Sequence, residues 1–354
     1  MFINEAIDQM VITRPIIVKK IVLVKKISLS SFFDFKRAAT FPATMAAPTP
    51  SRSRIIVKSS ANGSFITYIM IMNMIKSSEV VKIFLDYEIS NVKDEQKYTI
   101  SPLHGITNNT VVVGVDNKNF VLRIPGKNPD VINRKSEKFN SIKAYEAGLT
   151  LPFILFDEIT GIKISEYFDI YTYKQQDFNN KEMRLNAFYV LNELHNADLV
   201  FEENFSPLKV FQDIADASNP VENEAMEVAS KAIKKIEEIG IKNVPCHQDL
   251  YYANFVIYKN KTLLIDWEYS SMGDSYFDYA DLFWQNEFDL NNEFKKNSLI
   301  EIGIDSDENI EKFDYFEMLS MITWGLWALK RSPDDNDGLK AINNAIKLSK
   351  IKKL

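Results

Sequence analysis

The period of the apolar residues changes once along this chain, and that change limits the folds open to it. Up to residue 168 the pattern is mostly that of strands. "YTISPLHGITNNTVVVGVDNKNFVLRIPG" reads as strands joined by turns: Val111, Val113 and Val115 alternate, "DNKN" turns, and "FVLRI" returns. "FILFD" and "IKISEYF" are two more strands around the turn "EITG". Two helical stretches accompany them, "SSEVVKIFLDYE" and "RKSEKFNSIKAYEAG", the second closed by Gly148. After residue 180 the spacing is helical from "EMRLNAFYVLNELHNAD" onward, and only the segment from "CHQDL" to "IDWEYSS" interrupts it. The pattern predicts an α+β protein with a small sheet lobe over residues 76–168 and a larger, mainly helical lobe over 169–354.

Length agrees with two lobes, because single cores stop growing at roughly 250–300 residues and this chain has 354. Cys246 is the one cysteine, so no intramolecular disulfide forms, and with only His104, His195 and His247 there is no zinc-ligand spacing. A reducing compartment, the cytoplasm, is the expectation. The net charge is −6, and basic residues outnumber Glu5, Asp8 and Asp34 in the first 75 positions, so the remainder is more acidic still. An acidic body argues against a general nucleic-acid grip and suits a cationic small substrate.

Residues 1–75 read as an atypical or poorly ordered extension. "AATFPATMAAPTPSRSR" has linker composition. Few acids with Arg and Ser match a transit peptide, whereas "IIVKKIVLVKK" alternates like a strand, and Met45, Met70, Met72 and Met74 offer later starts; all these readings stay open. The apolar run "FITYIMIMNMI" is too short to span a bilayer, so no stable membrane insertion is expected.

The interrupting segment carries chemistry. In "CHQDLYYANF", His247, Asp249 and Asn254 stand at the separation of a kinase catalytic loop. Phosphoryl transfer needs a carboxylate to orient the acceptor hydroxyl and take its proton, the role of Asp249. An amide oxygen a few residues on, Asn254, would hold Mg²⁺. The strand "TLLIDWE" then delivers Asp266 as a carboxylate ligand for the same hard cation. His247 would brace the loop. An Asp and an Asn five residues apart also occur in ordinary turns, where both cap backbone groups; Asp266 at the end of an apolar strand distinguishes the two cases.

With these residues the chain resembles the choline and ethanolamine kinases, including the bacterial lic-type enzymes, within the aminoglycoside-phosphotransferase and protein kinase-like group. The resemblance spans about residues 76–345 and rests on "CHQDLYYANF", "LIDWEYSSMGDSYFDYA", "VLRIPG" and "WGLWALKRS". It implies a two-lobed kinase-like fold using ATP and Mg²⁺. Arg123 would face the nucleotide phosphates with Glu137 as its ion-pair partner, Glu146 being the less suitable choice near the helix end. The phosphate-covering turn would be "LHGITNN", with Gly105, Thr107, Asn108 and Asn109, and adenine would lie against the connector at Glu166, Tyr167 and Phe168. Choline kinases typically show a second glycine where this chain has His104.

At the substrate end the resemblance makes Trp324 and Trp327, three apart on one helix, a cage for a quaternary ammonium, which has no N–H to donate and is held by ring faces. Asp278 and Asp281 would add a favourable field and Tyr276 another ring. Gln285 stands where many eukaryotic choline kinases have a glutamate, and the last helix lacks an aromatic found there in the family. The expected reaction is phosphorylation of choline, a small-molecule amino alcohol, with no nucleic-acid partner. Ethanolamine, thiamine, an aminoglycoside and a non-catalytic nucleotide-binding role are the alternatives, and oligomeric state is left open.

Overall fold

The computed structural model describes residues 54–61, 64–71, 75–103, 108–126, 132–202, 206–207 and 219–354. The chain divides into two units, residues 1–74 and 75–354. In the first, β1 (Arg54–Ala61) and β2 (Ser64–Ile71) form an antiparallel hairpin with Arg54 opposite Ile71 and Ala61 opposite Ser64. The apolar run that begins near Phe65 thus takes up a strand. Among the described residues no helix is long and apolar enough to cross a membrane.

The second unit opens with α1 (Ser77–Asp86), whose Val80, Val81, Ile83 and Phe84 are buried against a five-stranded sheet. That sheet contains β3 (Thr99–Leu103), β4 (Asn108–Val115), β5 (Lys118–Pro125), β6 (Leu155–Phe156) and β7 (Lys163–Glu166), in the order β3-β4-β5-β7-β6 with every pair antiparallel. Val111, Val113 and Val115 point into the core, as strand alternation requires, and Phe120 meets Phe84 edge-on at 5.5 Å. Asp116 and Asn117 both have positive φ (53° and 59°), the backbone of a two-residue hairpin turn whose twist matches the flanking strands. Helix α2 (Arg134–Glu146) is capped at its start by the Asn133 side chain, which accepts from Ser136 N, and is followed by Gly148 at φ 70°.

The connector after β7 leads into β8 (Tyr171–Thr172), which pairs with β10 (Phe255–Tyr258) of the second lobe; β10 in turn forms a hairpin with β11 (Lys261–Leu264). A second small pair joins β9 (Asn243–Cys246) to β12 (Ser271–Asp274). The rest is helical: α3 (Lys181–His195), α4 (Pro220–Ile239), α5 (Ser275–Gln285), α6 (Asn292–Glu301), α7 (Asp307–Arg331) and α8 (Asn336–Lys352). One large apolar core binds them, with Trp267, Phe283 and Phe313 fully buried. Helices α7 and α8 touch backbone to backbone at Gly325 and Gly338. A Cβ on Gly325 would come within 2.9 Å of Gly338 O and 2.6 Å of Ile342 Cγ1. The glycine of "WGLW" therefore seats α7 on α8 while its two tryptophans remain half-buried.

Candidate active site

One pair of strands brings the two polar loops together. Cys246 of β9 lies opposite Ser271 of β12; the loop from His247 leaves the end of β9, and residues 265–270 run into the start of β12. Across the junction Ile265 N donates to Asn254 O at 2.9 Å. His247, whose ring is buried against Trp267 at 4.7 Å, donates from Nε2 to Ile265 O at 3.1 Å. Burial lowers its pKa, so the neutral ring acts as a brace between the loops. Gln248 and Asp266 both hold positive φ, 66° and 69°, a conformation non-glycine residues keep only where surrounding contacts enforce it.

Helix α5 supplies those contacts for the first loop. Asp278 accepts from His247 N at 2.9 Å, Gln248 N at 2.8 Å and His195 Nε2 at 2.9 Å. Asp281 accepts from Leu250 N at 2.7 Å, and Asn286, just past the helix end, accepts from Tyr252 N at 2.9 Å. Asp278 and Asp281, three apart on α5, and Asn286 just past its end lie along the loop, where they pair N–H groups that the tight turn cannot use itself. The Asp278 side chain is fully buried, and its oxygens are taken up by the loop and His195.

Asp249 is held by Asn254, whose Nδ2 donates to Asp249 O at 2.9 Å and to its carboxylate at 3.0 Å. Burial pushes the Asp249 carboxyl well above the usual carboxylate range, and Asp281, Asp266 and Glu268 add to the shift. Because the amide nitrogen of Asn254 is spent on Asp249, its oxygen is the end left to face a cation. Asp266, with 29% of its side chain exposed, adds a carboxylate. An all-oxygen donor set with one ligand open to solvent suits Mg²⁺, which keeps several of its own waters.

Arg123 crosses from the sheet lobe to this pair. Its Nη1 lies 2.9 Å from Asp266 Oδ1 and its Nη2 2.5 Å from Glu137 Oε1. Burial works against the Arg123 charge, but Glu137, Asp266 and Glu268 outweigh it and raise the pKa. Burial likewise opposes ionisation of Glu137, which Arg123 and Arg134 overcome to lower its pKa. Glu146 faces solvent with Lys143 at 2.8 Å and has no place in this network. Carboxylate oxygens of Glu137, Asp266 and Glu268 all lie within 4.8 Å of one another. Arg134 reaches Glu137 at 2.6 Å and Glu268 at 3.2 Å, and Asn108 Nδ2 donates to Glu268 at 3.1 Å. Asn108 thus ties the first residue of β4 to the second lobe. Gly105 and Thr107 lie outside the described residues. Glu166 is exposed, and Tyr167 N donates to Asn119 O at 2.9 Å.

The aromatic end is assembled around a residue the sequence reading passed over. Tyr269 meets Trp324 edge-on at 4.9 Å and Trp327 at 5.9 Å. Burial, with Glu268, Asp249 and Asp266 adding to it, raises the Tyr269 pKa well above normal. Gln285 Nε2 donates to Asp281 at 2.8 Å. Tyr276 is not brought to this face. It stacks near Phe316 at 6.2 Å and under Lys312 at 4.7 Å, two turns or about 12 Å back along α7 from Trp324.

The sequence profile for choline/ethanolamine kinase matches residues 100–313. The chain belongs to the choline/ethanolamine kinase family. It is similar to protein LicA of Haemophilus influenzae, 28% identical over 286 residues that cover 74% of this chain and 83% of the relative. Among solved structures it is similar to choline kinase LicA from Streptococcus pneumoniae, at 25% identity and a TM-score of 0.63, covering 75% of this chain and 97% of the other. A LicA structure in complex with AMP matches equally, with 25% identity, a TM-score of 0.63 and coverage of 77% and 97%. This family member is therefore a kinase-type phosphotransferase with the two-lobed kinase-like fold.

Three residues of this network went unassigned in the sequence: Arg134, Glu268 and Tyr269. Glu268 and Tyr269 lie two and three positions after Asp266, inside a segment already singled out, and their burial is what separates them from ordinary loop residues. Arg134 carries no local signal, since helix placement brings it in.

Proposed function

We propose that this kinase transfers the γ-phosphoryl group of ATP to the hydroxyl of choline. The observation that carries the choice of acceptor is the set of three rings, Tyr269, Trp324 and Trp327, placed beside the Asp249 end of the cleft. Ring faces attract a quaternary ammonium that offers no hydrogen-bond donor, at about 0.5–2 kcal/mol each.

In this reading Asp249 aligns the choline hydroxyl and collects its proton late, because an alcohol is too weak an acid to ionise beforehand. Asn254 keeps the Asp249 carboxylate aimed, and His247 fixes the loop against Ile265. Asn254 and Asp266 would hold Mg²⁺, which supplies charge neutralisation at the phosphates. Arg123, positioned by Glu137, adds a planar cation that cannot deprotonate. Positioning accounts for most of the catalysis, as is usual for phosphoryl transfer. The rings and the family together support a protein that works on a small amino alcohol.

Ethanolamine is the second reading, and one observation favours it. Its primary ammonium needs N–H acceptors, and Gln285, whose nitrogen is held by Asp281, has its amide oxygen left to offer. An ATP-consumption assay on the full chain, run in parallel with choline, ethanolamine, thiamine and kanamycin, separates these. A preference for choline of tenfold or more in kcat/KM is expected. Equal or better use of ethanolamine reverses the order of the two readings, and no turnover on any of the four points to a nucleotide-binding protein without catalysis.

A further inference from the structure

Arg123 is the cation that the motif assigns to the nucleotide, yet both of its terminal nitrogens already face carboxylates, Asp266 and Glu137. Directly across the sheet stands a second cation. Arg123 of β5 and Lys163 of β7 are register partners in the antiparallel pair, so their side chains leave the same face of the sheet. Arg123 shows where that face looks, since it reaches Asp266 of the other lobe.

The two cations share one ring. The Arg123 guanidinium lies 5.4 Å from the Phe156 centroid, and Lys163 Nζ lies at the same distance from it and 5.0 Å from Phe153. Phe153 and Phe156 flank the ammonium, and Lys163 as a whole is half-buried. Among the described residues Lys163 Nζ has no carboxylate within 4 Å and no hydrogen-bond acceptor, so three N–H donors are uncommitted. Water can reach this half-buried ammonium, and a phosphate oxygen would replace that water with a charge-assisted contact.

We propose that Lys163 binds the polyphosphate of the nucleotide, sharing with Arg123 a phosphate site built across β5 and β7. The inference rests on the kinase reading given above and adds a residue to it. Charge agrees with the geometry. Burial and the adjacent Arg123 pull the Lys163 ammonium down to about 8, while Glu137, Asp266 and Glu268 oppose that shift without reaching salt-bridge distance. An arriving phosphate relieves the repulsion between the two cations and gives the lysine its missing acceptors. Arg123 is ion-paired to two carboxylates and hydrogen-bonded to one of them, Asp266, and Lys163 adds an ammonium with no carboxylate partner among the described residues.

The test is calorimetric titration of the full chain and of Lys163→Gln and Lys163→Arg with ATP, ADP and adenosine. Loss of a charge-assisted contact predicts that Lys163→Gln weakens ATP and ADP about tenfold or more, while adenosine changes by less than about twofold and Lys163→Arg keeps most of the affinity. A purely structural role would move adenosine as much as ATP. The proposal is overturned if Lys163→Gln binds ATP as tightly as the parent, or if adenosine weakens in proportion. Should the parent itself bind neither ATP nor ADP, the nucleotide reading beneath it fails as well, and the parent titration identifies that case separately.

Discussion

His195 Nε2 and Asp278 Oδ2 meet at 2.9 Å inside the larger lobe, joining the last turn of α3 to the first turn of α5. The same carboxylate oxygen accepts from His247 N, so an interaction between two helices sets the starting point of the catalytic loop. Asp278→Ala leaves three buried donors unpaired and is expected to destabilise the fold by about 3 kcal/mol or more. His195→Gln, which keeps a donor, is expected to cost about 1 kcal/mol. Urea denaturation of the two variants measures both, and equal small losses would remove Asp278 from its anchoring role.

Removal of the carboxylate at the reaction centre has a different signature. Asp249→Asn keeps the size of the side chain and is expected to lower kcat by about 10²–10⁴ while nucleotide affinity stays near the parent value. Single-turnover phosphorylation with a separate nucleotide titration checks the split. Parent-like turnover in this variant contradicts the assigned role.

The ring face predicts discrimination between acceptors. Tyr269→Ala, Trp324→Ala and Trp327→Ala should each reduce kcat/KM for choline by about 2–30-fold, the range of one cation–π contact, and reduce that for ethanolamine less. Steady-state kinetics on both alcohols is the measurement, and matched losses argue that the rings only pack.

Stability should depend on pH through Asp281. Burial lifts this carboxyl to about 7, above the usual value near 4, despite hydrogen bonds from Leu250 N, Gln285 and Ser320. The folded state therefore retains a proton that the unfolded chain releases. The contribution is fully present below about pH 4, declines as pH rises and is gone above about pH 7. Asp249 and Asp278 are the charged neighbours that share this region. Melting curves between pH 5 and 8 should flatten in Asp281→Asn relative to the parent.

Gly325→Ala tests the seat of the aromatic face. Its Cβ would press on Gly338 O at 2.9 Å and Ile342 Cγ1 at 2.6 Å, so a loss of about 1–3 kcal/mol is expected together with a higher KM for choline. Thermal unfolding and acceptor kinetics on one preparation report both effects.

What the sequence reveals divides by distance along the chain. His247, Asp249, Asn254 and Asp266 lie within twenty positions, and their spacing is itself the signal. The pairing of Arg123 with Glu137 is an expectation carried by the family resemblance and not by spacing. The loop contacts of Asp278 and the placement of Tyr276 beside Phe316 join segments thirty or more positions apart, which no short window encodes. Lys163 and Arg134 depend on strand register and on the path of the turn at Gly161, whose missing Cβ leaves space for the Arg134 side chain at 3.1 Å, and neither is encoded in a short window.

The link between Asn254 O and Ile265 N, with β9 and β12 beside it, makes one rigid jaw of the segments bearing Asp249 and Asp266. In the proposed reading, opening the cleft to a nucleotide would draw the sheet that bears Arg123 away from Asp266 and break their ion pair, while this link keeps Asp249 and Asp266 on one side.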